Sequence, residues 1–156
     1  MRTDSRLPRV LHVLLHLDQL DEPVTSERIG EMLNTNPSLV RRTMAGLREA
    51  GFVRATKGHG GGWILLRKLT ENTLADVYSA LGSPELFAVG RSGDAPHCLL
   101  ERSANQATSA ALEAARATFR AELERTTVAD LVAPHAEVIR EHQKKITGGK
   151  RRENAG

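Results

Sequence analysis

The chain has 156 residues, of which 40% are hydrophobic, 26% are charged and only 3% are aromatic. This length suits one modest core, or a small domain with an oligomerisation element, and excludes several unrelated domains. The low aromatic content favours packed helices over a β-sandwich. The longest apolar run near the N-terminus, residues 10–17, is far shorter than the roughly 20 residues that span a bilayer. The single cysteine, Cys98, cannot form an internal disulfide, so nothing indicates an oxidising compartment. We therefore expect a mostly helical protein that is located in the cytoplasm.

The net charge of +3 is distributed unevenly along the chain. Residues 1–68 contain 11 Lys/Arg against 7 Asp/Glu, residues 69–143 contain 6 against 11, and residues 144–156 contain 5 against 1. Within residues 36–68, Glu49 alone opposes seven basic residues. Such a local excess suits a polyanionic partner, although a solvated basic face would carry the same charge.

Two helices are predicted before residue 34. Pro8 suits a first helical turn, and the apolar residues over 10–20 follow helical spacing. Thr25 or Ser26 can cap a second, short helix, which the turn residues at 34–35 would end.

A third helix is predicted by its own end signals. Asn36 followed by Pro37 is an N-cap with proline in the first helical position, and Gly51 is a natural C-terminal stop. The helical period divides its side chains into two faces. The inward face would contain Leu39, Val40, Met44 and Leu47. The outward face would contain Ser38, Arg41, Arg42 and Ala45.

The next segment predicts a β-hairpin. Two β-prone runs, residues 52–56 and 63–66, flank a basic, glycine-rich tip at residues 57–62. A hairpin directly after a basic helix is typical of a winged helix, whose recognition helix enters the major groove. The glycines allow close approach to a phosphate, where Lys57 and His59 offer charge or hydrogen bonds. A nucleotide-binding loop is the weaker interpretation, because no Gly-Lys-Ser/Thr follows and a strand comes next.

Four stretches in order, residues 47–53, 57–63, 73–81 and 127–131, resemble the Rrf2 family of regulators, of the IscR and NsrR type. The resemblance covers roughly residues 7–132. It implies a homodimeric DNA-binding protein in which a long C-terminal helix crosses to the partner. It also implies that the recognition helix and the wing meet DNA. The expected DNA-binding residues are Asn36, Ser38, Arg41, Arg42, Arg48, Lys57, Gly58, His59 and Gly60.

A seam of small residues can be recognised in the long helix without the family. Its members alternate steps of four and three, which is the spacing of a helix that packs closely on another helix. We therefore predict a dimer interface, with a single exposed Ala-rich helix as the alternative. The seam consists of Leu100, Ala104, Ala107, Ala111, Ala114, Thr118 and Ala121.

The sensor region departs from the resemblance. Cluster-binding members of the family present three cysteines before the long helix, whereas this chain has only Cys98, with His97 beside it. We therefore expect no iron–sulfur cluster. Cys98 would be either a reactive thiol near a helix start or a small buried apolar residue. His12 and His16 also have metal-ligand spacing, but without a third ligand the sequence predicts no metal site there.

The sequence thus predicts a mainly α fold with a winged helix-turn-helix over residues 1–82, a loop or sensor segment over 83–97, dimerisation helices over 98–146 and a basic flexible tail over 147–156. The predicted function is a homodimeric regulator, with repression favoured, that binds a pseudo-palindromic operator in double-stranded DNA. Its response would depend on Cys98 or on a small effector. The alternatives are a winged helix that binds protein, and a cluster- or metal-dependent sensor with non-cysteine ligands. The sequence contains no Ser/His/Asp grouping, cofactor fingerprint or zinc-protease motif, which argues against an enzyme.

Overall fold

A computed structural model describes residues 4–20, 22–93 and 97–141. The elements are α1 (Arg6–Asp18), α2 (Ser26–Met32), α3 (Pro37–Glu49), β1 (Val53–Thr56), β2 (Gly62–Leu65), α4 (Leu74–Ala80) and α5 (Leu99–Glu124). The described residues include the helices α1 to α5 and one two-stranded antiparallel sheet, so the prediction of a mainly α protein with a hairpin and a long C-terminal helix is confirmed.

The predicted caps begin the helices of the DNA-binding unit. The Thr25 side chain accepts a hydrogen bond from the backbone N–H of Arg28 at 3.2 Å, and Asn36 accepts one from the N–H of Ser38 at 2.7 Å. Each bond satisfies an amide that has no partner within its helix. After α3 the chain turns at Gly51, whose φ of 75° favours glycine.

The core lies between α1, α3, the hairpin and α4. Leu14, Leu47, Val53 and Val77 are fully buried there. Leu39 is the exception to the predicted inward face of α3, because its side chain remains 38% exposed. It lies at the edge of the cleft between α1 and α3, while Val40, Met44 and Leu47 occupy the buried side.

The hairpin is anchored to the segment before α2. In register, Val53 pairs with Leu65 and Thr56 with Gly62. Val24 adds an isolated bridge, since its N–H and C=O exchange hydrogen bonds with Trp63 at 3.0 and 2.8 Å. A Cβ at Gly62 would lie 2.6 Å from the backbone of Val24, so this close approach requires glycine.

The end of α5 returns to the start of α4. Thr73 and Thr127 form an isolated antiparallel bridge, and Val128 beyond it is fully buried. Thr127 and Asp130 exchange hydrogen bonds of 2.8 and 3.2 Å. Hydrogen bonds from the Thr127 side chain and from its backbone N–H lower the pKa of the Asp130 carboxyl. Thr73 and Asp76 likewise form a capping box at the start of α4. A Thr–Asp pair therefore holds each of the two segments that meet in the bridge.

The region after α5 is only partly described. A 3₁₀ turn at Ala133–His135 leads into helical residues 136–141, which lie within the range predicted for the dimerisation helices, 98–146. Residues 142–146 of that range, and the predicted tail over 147–156, lie outside the described residues. No helix among the described residues is both long and apolar enough to cross a bilayer.

Candidate nucleic-acid interface

The outer face of α3 is polar and basic. Ser38, Arg41 and Arg42 are exposed in its first turns, and Arg48 is exposed in its last turn. Ala45 is half-buried between them. The axial rise of a helix places Arg48 about 9 Å beyond Arg42. The first turns therefore present the side chains that could reach base edges, while Arg48 is placed nearer to a phosphate backbone.

Asn36 has a structural role at the start of this face. Its side-chain oxygen is held by the amide of Ser38, so that oxygen caps α3. The residue is exposed, and its amide nitrogen is available for a phosphate. Any DNA contact by Asn36 would therefore be made by the other end of its side chain.

Arg41 is paired with an acidic residue that the sequence analysis did not single out. Its guanidinium lies 3.0 Å from the carboxylate of Glu27 on α2. The pKa of Glu27 is lowered, first by its own backbone amide and then by Arg41. Among the described residues, no carboxylate forms such an ion pair with Arg42. Arg42 therefore presents its charge to solvent more openly than Arg41 does.

The tip of the wing is exposed over Lys57, Gly58, His59 and Gly60. Gly58 and Gly60 have φ values of 92° and 78°, and neither has another atom within 4 Å of a Cβ position. At the base of the tip, the Thr56 hydroxyl accepts from the N–H of Gly62 at 3.0 Å and donates to its carbonyl at 3.1 Å. Closed in this way, the loop projects its basic side chains outward.

A buried hydrogen bond connects the wing to α2. The indole N–H of Trp63 donates to the hydroxyl of Ser26 at 3.0 Å, and both residues are buried. Together with the Val24 bridge, this bond sets the position of the wing relative to the helix-turn-helix. Burial leaves the indole N–H little alternative partner, so the bond also favours one orientation of the ring.

Two other basic residues of the charged stretch have different surroundings. Arg54 is exposed on β1 next to the tip, although the sequence analysis did not include it among the DNA contacts. Arg67 instead lies over the ring of Phe52 at 5.4 Å. The excess of positive charge over residues 36–68 could have indicated Arg54 as a DNA contact. Only the structure distinguishes Arg54, which is exposed beside the tip, from Arg67, which lies over Phe52.

The predicted seam of α5 is exposed at every position, from Leu100 to Ala121. A different face of the helix contacts its own winged-helix unit. There Phe119 packs edge-on against Tyr78 of α4, with ring centroids 5.4 Å apart. The helix is therefore attached along one side, and the seam is left on the surface of the chain.

Cys98 lies at the N-cap of α5 and is exposed, so its interpretation as a buried apolar residue is wrong. His97 beside it is also exposed. The described residues contain no group of three His, Cys, Asp or Glu side chains that could hold a metal ion. An iron–sulfur cluster needs several thiolate or imidazole ligands, and this chain offers one cysteine to such a cluster.

Comparison with known proteins agrees with this geometry. Residues 3–134 match the Rrf2 family, described as an iron-dependent transcriptional regulator. YwnA of Bacillus subtilis, a candidate helix-turn-helix transcriptional regulator, is 30% identical over 130 residues, which cover 83% of this chain and 96% of YwnA.

Solved structures show the same fold at lower identity. A candidate transcriptional regulator from Lactobacillus plantarum is 22% identical, with a TM-score of 0.70 over 95% of this chain and 97% of its own. The oxidised form of Staphylococcus aureus CymR is 19% identical, with a TM-score of 0.64 over 85% of this chain and 97% of its own. The family match, the recognition helix and the wing lead to one conclusion: this chain belongs to the Rrf2 family of DNA-binding transcriptional regulators.

Proposed function

We propose that this chain binds a pseudo-palindromic operator as a homodimer and represses transcription from the promoter that the operator overlaps. The observation that carries the proposal is the pairing of two exposed surfaces, the basic face of α3 with its wing and the seam of α5. The described residues contain a DNA-reading unit and a long helix, which suffice to block a promoter.

The dimer is inferred from the surface of α5. This helix has 26 residues and none of them is buried, and Leu99 and Leu100 at its start are 71% and 81% exposed. An exposed stripe of small residues lets a second helix approach closely, and a second copy presents the same stripe about a two-fold axis. The contact could extend along about 39 Å of helix. Association of two copies is therefore the simplest way to cover this face.

A two-fold dimer defines the shape of its operator. Two recognition helices related by the axis would read half-sites about 34 to 36 Å apart on one face of the duplex. The sequence of the second half-site is then the inverted repeat of the first. A DNA fragment with a single half-site should bind poorly, because only one unit of the dimer can be engaged.

Salt dependence tests the DNA interface. Binding to a labelled operator, selected from genomic fragments, is measured by fluorescence anisotropy between 50 and 200 mM salt. We expect a steep loss of affinity with salt, and Lys57→Ala should reduce the slope by about one if Lys57 neutralises a phosphate. Lys68→Ala, which removes the same charge away from the tip, is the matched control. Binding that does not depend on salt would overturn the proposed DNA interface, and little affinity for DNA even at low salt would favour a winged helix that binds protein.

Arg42 is the better candidate for reading a base. Arg41 must exchange Glu27 for DNA, whereas Arg42 has no such partner among the described residues. An arginine bidentate to guanine discriminates by about 1 to 3 kcal/mol. Arg42→Ala should therefore weaken operator binding by about 5- to 150-fold more than binding to random DNA. Equal losses on both DNAs would make Arg42 a phosphate contact.

We also propose that the regulator contains no iron–sulfur cluster and responds through the thiol of Cys98. Peroxide would oxidise the thiolate: sulfur attacks one peroxide oxygen, the O–O bond breaks, and sulfenic acid and hydroxide are formed. The exposed position at the start of α5 allows this reaction and places the product at the helix that is proposed to set the spacing of the two DNA-binding units. The purified protein should be colourless and contain no stoichiometric iron or sulfide.

The test compares operator binding before and after mild peroxide treatment. Wild type should lose or gain affinity, and Cys98→Ala should bind as well as untreated wild type without responding. Alanine is a better replacement for Cys98 than serine, because serine is a good N-cap residue and would change the stability of the start of α5. Identical peroxide responses would exclude Cys98 and direct the search to a small effector. The structure offers such an effector an open cleft of about 410 Å³, lined by Leu7, Tyr78, Phe87 and Phe119 among others.

A further inference from the structure

Two histidines on α1 face each other at a distance that suits a shared ion. His12 and His16 are one helical turn apart, their ring centroids are separated by 4.6 Å, and their Nε2 atoms by 2.9 Å. At that distance the rings share a proton through an N–H···N hydrogen bond. The pair lies on a different helix from Cys98 and from the DNA-facing side chains of α3, so the proposed function leaves it unused.

The two nitrogens can reach one ion once the hydrogen bond between them opens. Metal–imidazole bonds are about 2.0 to 2.1 Å long, so an ion beside the pair can contact both Nε2 atoms after small rotations of the rings. The affinity of a nitrogen site for divalent ions rises through Ni²⁺ to Cu²⁺ and falls at Zn²⁺. Cu²⁺ and Ni²⁺ are therefore the ions that such a pair should hold most tightly.

We propose that His12 and His16 chelate one Cu²⁺ or Ni²⁺ ion per chain through their Nε2 atoms. Among the described residues no third His, Cys, Asp or Glu joins them, so water would complete the coordination. The sequence alone predicted no metal here, because spacing without a third ligand is weak. The observed distance between the nitrogens is the reason to change that assessment.

The surroundings prepare the pair for a cation. Val13 and Leu17, each next to one histidine in sequence, are buried and hold this part of α1 on the core. His12 is exposed and His16 is half-buried against α2, so an ion can enter from solvent beside His12. A neutral imidazole offers the nitrogen lone pair that a metal requires.

Calorimetric titration of the full, untagged chain with Ni²⁺ at pH 7.5 in a non-chelating buffer tests the proposal. We expect about one equivalent bound per chain and a rise in Tm, because the ion binds the folded helix in preference to the unfolded chain. His12→Gln should weaken Ni²⁺ binding at least about tenfold. His59→Gln and His97→Gln remove a histidine elsewhere and should leave the affinity unchanged. Since His12 is exposed, its variant should fold normally, which circular dichroism checks.

A second measurement identifies the ligands of the ion without relying on its affinity. The Cu²⁺ complex of Cys98→Ala, which removes the competing thiol, should show two equatorial nitrogens by electron paramagnetic resonance. Adding His12→Gln should leave one. Equal Ni²⁺ affinities in wild type and His12→Gln, or the same nitrogen count in both Cu²⁺ spectra, would overturn the site. Zn²⁺ binding tighter than Ni²⁺ would overturn the cation class. DNA binding enters neither readout, so this proposal can fail while the proposed function stands.

Discussion

The winged-helix unit and α5 differ in where their apolar side chains go. In α1 and α3 the apolar faces pack within one chain, and Val10, Leu14 and Leu47 have no exposed surface. In α5 no residue is buried, although its helix is the longest among the described residues. The unit that reads DNA can therefore be stable in a single copy, whereas the seam of α5 has no internal partner. This difference indicates that the exposed seam of α5 is covered when two chains associate. Substitutions in α5 and in the winged-helix core can test this.

The largest expected effect is on assembly. Ala111→Glu places a carboxylate in the proposed helix contact, where it would be buried without a partner, and should weaken the dimer by several kcal/mol, or at least about a hundredfold. The measurement is the oligomeric state by sedimentation over a range of concentrations. Ala117→Glu is the matched control, because Ala117 is also exposed but lies outside the seam. If both variants remain fully dimeric, the seam is not the interface.

The core of the winged helix should respond differently from the seam. Leu47→Ala removes a side chain with no exposed surface and should lower the free energy of unfolding by about 2 to 5 kcal/mol. Leu100→Ala removes a side chain that is 81% exposed. At protein concentrations below the dimer dissociation constant, it should change the free energy of unfolding by less than about 0.5 kcal/mol. Urea denaturation monitored by circular dichroism compares them. Equal losses at low concentration would show that α5 is part of the monomer core.

The attachment of the wing provides a smaller test within the first region. Ser26→Ala removes the acceptor of the buried Trp63 indole N–H, which should cost about 1 to 3 kcal/mol of folding stability. Trp63 is the only tryptophan, so its emission follows the change directly. Ser79→Ala, at an exposed position on α4, is the control. An unchanged emission maximum and stability in Ser26→Ala would mean that the bond does not hold the wing.

The smallest effect concerns the exposed pair of Arg41 and Glu27. A glutamate carboxylate is charged near neutral pH, and because the pKa of Glu27 is lowered, the pair is lost only as the pH falls through that lowered value. Glu27→Gln frees Arg41 and removes a negative charge near the DNA, so it should strengthen binding by no more than a few-fold, and less at high salt. Glu31→Gln, an exposed residue on the same helix, is the control. Weaker binding by Glu27→Gln would show that the pair positions Arg41 for DNA.

Local signals in the sequence were sufficient to predict most of the DNA-binding unit. A cap at Thr25, the Asn36 and Pro37 pair, and Gly51 each act over a few residues, so the bounds of α2 and α3 could be read directly. The glycine-rich tip predicted the hairpin for the same reason, because two of its glycines adopt positive φ. The seam of α5 was also readable, since helical spacing is a property of consecutive residues.

Contacts between distant residues were decided only by the tertiary structure. Nothing near Arg41 in sequence indicates Glu27, which lies 14 residues earlier, and Ser26 and Trp63 are 37 residues apart. The exposure of Leu39 and Cys98 likewise depends on which elements pack beside them. The sequence by itself determined that a basic recognition helix, a wing and a helix with a small-residue seam would form, because hydrogen bonds and periodicity within each segment are local. The fold alone decided which arginine is paired and how the wing is held, because those contacts depend on packing among elements that are distant in sequence.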